Sequence, residues 1–403
     1  MSATMSRSLV AVTIVLTIAA GGALVAVQGQ FRGGSPTDAN GECPAGMTEI
    51  RPGNCQAPSQ PPPSIVDYRP KSTLVTEQHL VPKAKFPVVD IHGHPGPLTT
   101  PEAIERVVKA MDSLNIAVLV SADNTSGQRL KDTIAAIGAS PYKDRFRILC
   151  GIDFGRVGPG WAERAVKQLD ADVAAGAVGV GEISKAFGLN IQKADGSRLK
   201  VDDPELDPIW DEAAKLDVPV FIHTAEPQAF FDTHDYHNER WLELALFPGR
   251  GATDTHGVTF DELVAERNTL FKRHPKTRFI AAHFGWHANN LAKASAMLDA
   301  YPNVVTEVGA ILYDIGRQPR AAHDFFVKYQ DRILFGKDSF QPNEYPYYWR
   351  VFETGDEYFD YYRDYHAFWK LYGMNLPDEV LKKLYYKNAL RVLKGLPQAG
   401  WPQ

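Results

Sequence analysis

The sequence predicts an α/β fold, a (β/α)8 barrel, on three observations. Short apolar runs alternate with segments of helical period from residue 86 onward, the runs number eight, and four of them end in a histidine or an aspartate. Eight strands joined by helices are what a parallel sheet needs to close on itself. With 403 residues, 44% of them hydrophobic, the chain can bury a core of that size.

The chain begins differently. Arg7 precedes Leu9 to Val27, 19 residues without a charge and rich in Val, Ala, Ile and Leu. Residues 1–27 therefore read as an export signal or, since 19 residues reach across a bilayer, as an uncleaved membrane tether. Either reading places the chain in the periplasm or outside the cell. Residues 28–85 form an extended, Pro-rich segment that includes Pro61-Pro62-Pro63. Within it Cys43 and Cys55 are expected to pair in an oxidising compartment, closing a small loop that contributes on the order of 3 kcal/mol. Cys150, inside the apolar run Phe146 to Ile152, reads as a small core residue.

The barrel is expected over 86–395, with a tail at 396–403. Candidate strands are 87–92, 116–121, 146–152, 177–183, 218–223, 278–283, 303–308 and 332–337. Between them, Pro101 to Leu114 places Ile104, Val107, Val108 and Met111 on one helical face, and Trp161 to Ala175 does the same with Ala165, Val166, Leu169 and Val173. A last helix runs from Pro377 to Leu393, with Asp378 in its first turn. The segments after strands four, five and eight are long, and in a barrel such loops cover the site.

A formal net charge of -5, with Lys and Arg spread evenly, leaves no basic stripe for nucleic-acid phosphates. A small-molecule substrate is expected. In Val88-Val89-Asp90-Ile91-His92-Gly93-His94 the strand period of two puts His92 and His94 on one face, about 7 Å apart, where one metal ion reaches both imidazoles. Among 12 histidines such a pair arises by chance. The pattern gains weight because His223, His283 and Asp338 also end apolar runs, at the strand ends where barrel active sites lie.

These residues resemble the amidohydrolase superfamily of metal-dependent barrel enzymes, in particular the amidohydrolase-related branch that includes aminocarboxymuconate-semialdehyde decarboxylase. The resemblance covers about three quarters of the chain and rests on Asp-x-His-x-His at 90–94, Ile-His at 222–223, Ala-His-Phe-Gly at 282–285, Phe-Gly-Lys-Asp at 335–338 and Lys-Asn-Ala-Leu-Arg-Val-Leu at 387–393. It implies that His92, His94, His223 and Asp338 bind a divalent ion, zinc or else Mn2+, and that His283 polarises the substrate or binds a second ion. Asp338 also becomes the expected proton acceptor, with Asp338 and His283 the expected catalytic pair. Glu182 matches the place of a bridging carboxylate. Lys185 is the alternative, as a carboxylated bridge or as the partner of Glu182.

In the insert after strand five, Thr224 to Val258, Arg240 is a candidate clamp for a substrate carboxylate, with Trp241 beside it. Lys185 is a further candidate for substrate binding. The insert after strand eight packs 14 aromatic residues into positions 340–372, which reads as core or subunit interface and keeps a homo-oligomer open. The implied activity is hydrolysis of a small amide, ester or lactone by metal-activated water. A non-oxidative decarboxylase uses the same ligand set and is the alternative. A non-catalytic exported binding protein is the third reading, and the intact ligand set argues against it.

Overall fold

The structure is a computed structural model, and it describes residues 34–183, 185–252, 257–366 and 369–402. The expected export signal or tether at 1–27 lies outside the described residues. Among the described residues no helix is long and apolar enough to cross a membrane.

Two compact units divide the chain at Thr73. In the first, Ser35–Pro36, Thr48–Arg51 and Asn54–Gln56 form a three-stranded antiparallel sheet with the Asn54–Gln56 strand in the centre. A disulfide joins Cys43 to Cys55 across 12 positions, and the prolines at 61–63 follow in irregular backbone.

In the second unit every strand run anticipated in the sequence is present. The strands are β1 (Val88–His94), β2 (Ile116–Thr125), β3 (Phe146–Cys150), β4 (Val180–Ile183), β5 (Val220–Ile222), β6 (Phe279–Ala281), β7 (Val304–Glu307), β8 (Ile333–Leu334) and β9 (Asp338–Ser339). They form one parallel sheet in the order β8-β7-β6-β5-β4-β3-β2-β1-β9. The single eighth strand expected at 332–337 is thus two short ones on either side of Phe335 to Lys337. The cause lies in the backbone of Phe335, whose N–H donates to Leu384 O at 2.9 Å while its carbonyl accepts from Ile91 N at 3.0 Å. The run leaves β7 and joins β1 within a few residues, and this closes the barrel.

Helices α1 (Pro101–Leu114), α2 (Gly127–Ala139), α3 (Trp161–Ala174), α4 (Asp207–Lys215), α5 (Phe260–Arg273), α6 (Leu291–Ala300) and α7 (Pro319–Lys328) follow β1 to β7 in turn. α1 starts where Thr100 accepts from Ala103 N with Pro101 in the first turn, and it buries Ile104, Val107, Val108 and Met111 as their spacing requires. The final helical stretch, Asp378 to Val392, contains a π turn at Lys383–Lys387. The aromatic insert packs inward: Tyr345, Tyr348, Trp349 and Phe352 on helix Tyr345–Glu353 are buried, and their rings gather around Phe335.

Candidate metal centre

The alternation of β1 sends Val89 and Ile91 to one side and Asp90, His92 and His94 to the other. Asp90 is fully buried and ties the site together: it accepts from His92 N at 3.0 Å, Lys337 N at 3.2 Å and Tyr345 Oη at 2.7 Å. One carboxylate therefore positions both the His92 backbone and the residue before Asp338. Burial raises its pKa, and the Tyr345 hydroxyl opposes that rise.

Glu182, at the end of β4, is the centre of the cluster. Its Oε2 lies 3.3 Å from His92 Nε2 and 3.3 Å from His94 Nε2, while its Oε1 lies 2.7 Å from His223 Nδ1 and 3.4 Å from His283 Nε2. Each oxygen faces one pair of imidazoles. Asp338 completes the first pair, its Oδ1 at 3.9 Å from His92 Nε2 and 3.8 Å from His94 Nε2.

The second ring nitrogens show how each imidazole is oriented. His223 Nε2 donates to Ala225 O at 2.9 Å and His283 Nδ1 to Gly309 O at 2.8 Å, so the nitrogen facing Glu182 is the lone-pair nitrogen in each neutral ring. His94 Nδ1 is held by Asp123 at 3.1 Å, and His92 Nδ1 lies 3.2 Å from Glu307. The partners of His94, His223 and His283 set tautomer and ring angle as partners of metal-bound histidines do.

The residues fit a divalent cation. His92 is fully buried and neither of its ring nitrogens makes a hydrogen bond among the described residues. Lone pairs of several imidazoles pointed at a carboxylate repel one another unless positive charge sits between them. Donor atoms of His92, His94 and Glu182, and again of Glu182, His223 and His283, lie within 4.8 Å of one another. The electrostatics agree. Burial disfavours charge on His92, yet Glu182 and Glu307 outweigh it and raise its pKa well above the usual range. Burial is likewise outweighed at His94, where Asp123 and Glu182 raise the imidazole to about 9. Burial alone would raise Glu182, but the imidazoles of His92 and His223 hold it well below the ordinary carboxylate range. Burial is also overcome at Asp338, lowered by His92 and His283. The field that draws protons here draws a metal ion equally.

Two positions carry unusual backbone. His283, Phe284, Gly285 and Trp286 all have positive φ, at 55°, 58°, 59° and 55°, which turns the chain sharply after β6 and sends His283 into the cluster. Asp338 has φ 79°, which brings its carboxylate toward the β1 histidines.

Other expected contacts do not form. Among the described residues the ion pair of Lys185 is with Glu226, at 3.6 Å, and its side chain is largely exposed. Arg240 is buried and ion-paired with Glu243, three residues on, and its guanidinium stacks 3.9 Å from the Tyr313 ring centre. Its charge is spent within the protein. Trp241 is partly exposed, packs beside His234 and does not line the cavity.

Glu307 and Asp123 are not among the residues expected from the sequence. Glu307, the last residue of β7, is fully buried and accepts from His283 N at 2.6 Å and from Gly309 N. The strand-end rule that selected His223 and His283 applies equally to Val304-Val305-Thr306-Glu307. Asp123 lies near the end of β2, where Ser121 Oγ donates to it at 3.0 Å.

A cavity of about 380 Å³ opens onto the cluster, lined among others by Glu182, His223, His283, Trp286 and Asp338. A closed parallel barrel with imidazoles and carboxylates gathered at the carboxyl ends of its strands defines a metal-dependent barrel enzyme. The chain belongs to the amidohydrolase family, whose sequence model matches residues 89–395. Members of that superfamily are metal-dependent enzymes and include hydrolases and decarboxylases.

Among solved structures, the chain is similar to 2,6-dihydroxybenzoate decarboxylase from Rhizobium, at 18% identity over 76% of this chain and 98% of that one, TM-score 0.46. It is also similar to 4-oxalomesaconate hydratase from Rhodopseudomonas palustris, at 16% identity over 76% and 95%, TM-score 0.43. An uncharacterized TIM-barrel protein from Bordetella bronchiseptica matches at 15% identity over 76% and 97%, TM-score 0.43.

Proposed function

We propose that this protein is a metal-dependent hydrolase of a small organic amide, ester or lactone, with His92, His94 and Asp338 on one side of Glu182 and His223 and His283 on the other holding two divalent ions. The observation that carries this reading is the division of Glu182, one oxygen to each imidazole pair. Imidazole-rich donor sets with carboxylates suit zinc better than magnesium or calcium, with manganese as the alternative. Bound there, the ions would polarise a substrate carbonyl and acidify a water molecule.

The protein's own groups supply the rest. Asp338, its side chain about one third exposed to the cavity and kept ionised, accepts the proton of the attacking water at a carboxylate oxygen and returns it to the leaving group. His283, anchored by Gly309 O and stacked on Trp286, keeps a rigid imidazole at the cavity wall. Trp286 and Phe230 give the substrate an apolar face. Export to an oxidising compartment is part of the same proposal, supported by the Cys43–Cys55 disulfide.

Metal analysis of the purified protein tests this directly. A ratio near two ions per chain is expected, and His92→Ala or Asp338→Ala should lower it markedly. His234→Ala should not, since His234 is exposed and donates to Trp241 O at 2.9 Å. Equal metal in all three variants would overturn the assignment. Product analysis with lactones, amides and aromatic acids tests the reaction, and release of carbon dioxide without addition of water would replace the hydrolase by a decarboxylase.

A further inference from the structure

We propose that Arg363 forms an anion subsite in the cavity wall and that the substrate carries a carboxylate which this guanidinium binds. The inference rests on the reading of the cluster as a catalytic centre and names the substrate class for it.

Four lysine or arginine side chains line the cavity: Lys185, Arg240, Arg250 and Arg363. Three are already neutralised. Lys185 pairs with Glu226 at 3.6 Å, Arg240 pairs with Glu243, and Arg250 reaches the other oxygen of Glu243 at 2.6 Å. Arg363 alone among these four forms no ion pair with an acid among the described residues. It is half-buried, and its guanidinium carbon stands 5.4 Å from the Tyr362 ring centre and 6.0 Å from that of Tyr365.

A guanidinium cannot shed its proton, so Arg363 keeps a full positive charge in a partly desolvated place. Aromatic faces steady a cation without cancelling its charge. The acids of the same wall are engaged elsewhere: Glu182 with the imidazoles, Glu226 with Lys185, Glu243 with two arginines, and Asp338 facing His92 and His94. An open charge of this kind, in the wall that also presents Asp338 and the imidazoles, suits an anionic substrate group. A planar fork selects a carboxylate, which accepts two parallel hydrogen bonds. The carboxylate clamp expected at Arg240 is thereby placed at Arg363, in the insert after β8 instead of the one after β5.

The test is isothermal titration of the zinc-loaded full chain with benzoate and with benzamide, its neutral isostere, repeated after removal of metal with a chelator. Benzoate should bind better than benzamide. Arg363→Gln should weaken benzoate about tenfold or more, the usual worth of a charge-assisted hydrogen bond, and leave benzamide unchanged. Arg363→Lys, which keeps the charge and loses the fork, should retain only part of the preference, and all variants should keep the metal content and thermal midpoint of the unaltered chain. Benzoate binding that is indifferent to Arg363→Gln, or no preference over benzamide in the unaltered chain, overturns the subsite. The same preference after chelation is expected of a subsite built by the protein alone, and a preference that follows Arg363 in a chain that takes up no zinc on loading supports the subsite and overturns only the proposed hydrolase.

Discussion

Of the four imidazoles that converge on Glu182, His92 has its place, with Glu307 behind it, because two glycines leave room. A Cβ at Gly336 would stand 2.6 Å from His92 Cβ and 2.7 Å from Glu307 Oε2, and one at Gly309 would stand 2.7 Å from Glu307 Oε2 and 3.0 Å from His92 Nδ1. Gly336→Ala removes no metal donor, yet it must push His92 or Glu307 from place. We expect metal affinity about tenfold weaker, as for loss of an outer partner of a ligand, measured by competition with a chromogenic chelator. Unchanged affinity would show that His92 is not held where the site needs it. The candidate ligands were legible as residue types, since each ends an apolar run. The identity of their partners was not: Arg240 looked available in sequence, and only the turn of helix Trp241–Leu246 brings Glu243 against it.

Among the elements, the eighth strand run is the most dependent on its neighbours. β8 is two residues long, and Asn388 supports it from the last helix by donating to Gln330 O at 2.7 Å and Ile333 O at 2.7 Å. The π turn before Asn388 gives the Leu384 carbonyl to Phe335 N. Asn388→Ala leaves two carbonyls short of a donor and should cost about 1–3 kcal/mol, read from chemical denaturation. A denaturation midpoint equal to that of the unaltered chain would exclude this brace. The sequence motif at 387–393 marked the helix but not this contact. An asparagine at a helical position carries no sign of which distant carbonyls it reaches.

The folded molecule as a whole keeps two buried histidines neutral. Burial, reinforced by Arg267, holds His287 down to about 3, and burial brings His366 to about 4 although Glu243 opposes it. In the unfolded chain both protonate near 6.5. The unfolded state therefore binds more protons as pH falls below 6.5, and folding loses stability through a window that reaches about 4 for His366 and about 3 for His287. Between pH 6.5 and 5 each group accounts for roughly 2 kcal/mol. Thermal midpoints should fall from pH 7 to pH 5, and fall less for His287→Gln. An equal fall in both proteins would remove His287 from the account.

Composition, period and spacing determined the barrel, the span of most strands and the residue types at their carboxyl ends. Those signals are local: burial on both faces writes an apolar run, and a helix facing the sheet writes its own period. Tertiary structure decided that Glu182 divides its oxygens between two imidazole pairs, that Glu307 and Asp123 stand behind them, and that Arg363 instead of Arg240 is left without an acid among the described residues. Those facts depend on distances between the ends of different strands and loops, which register, closure at β9 and the turn after β6 set together. No segment of the chain contains them alone.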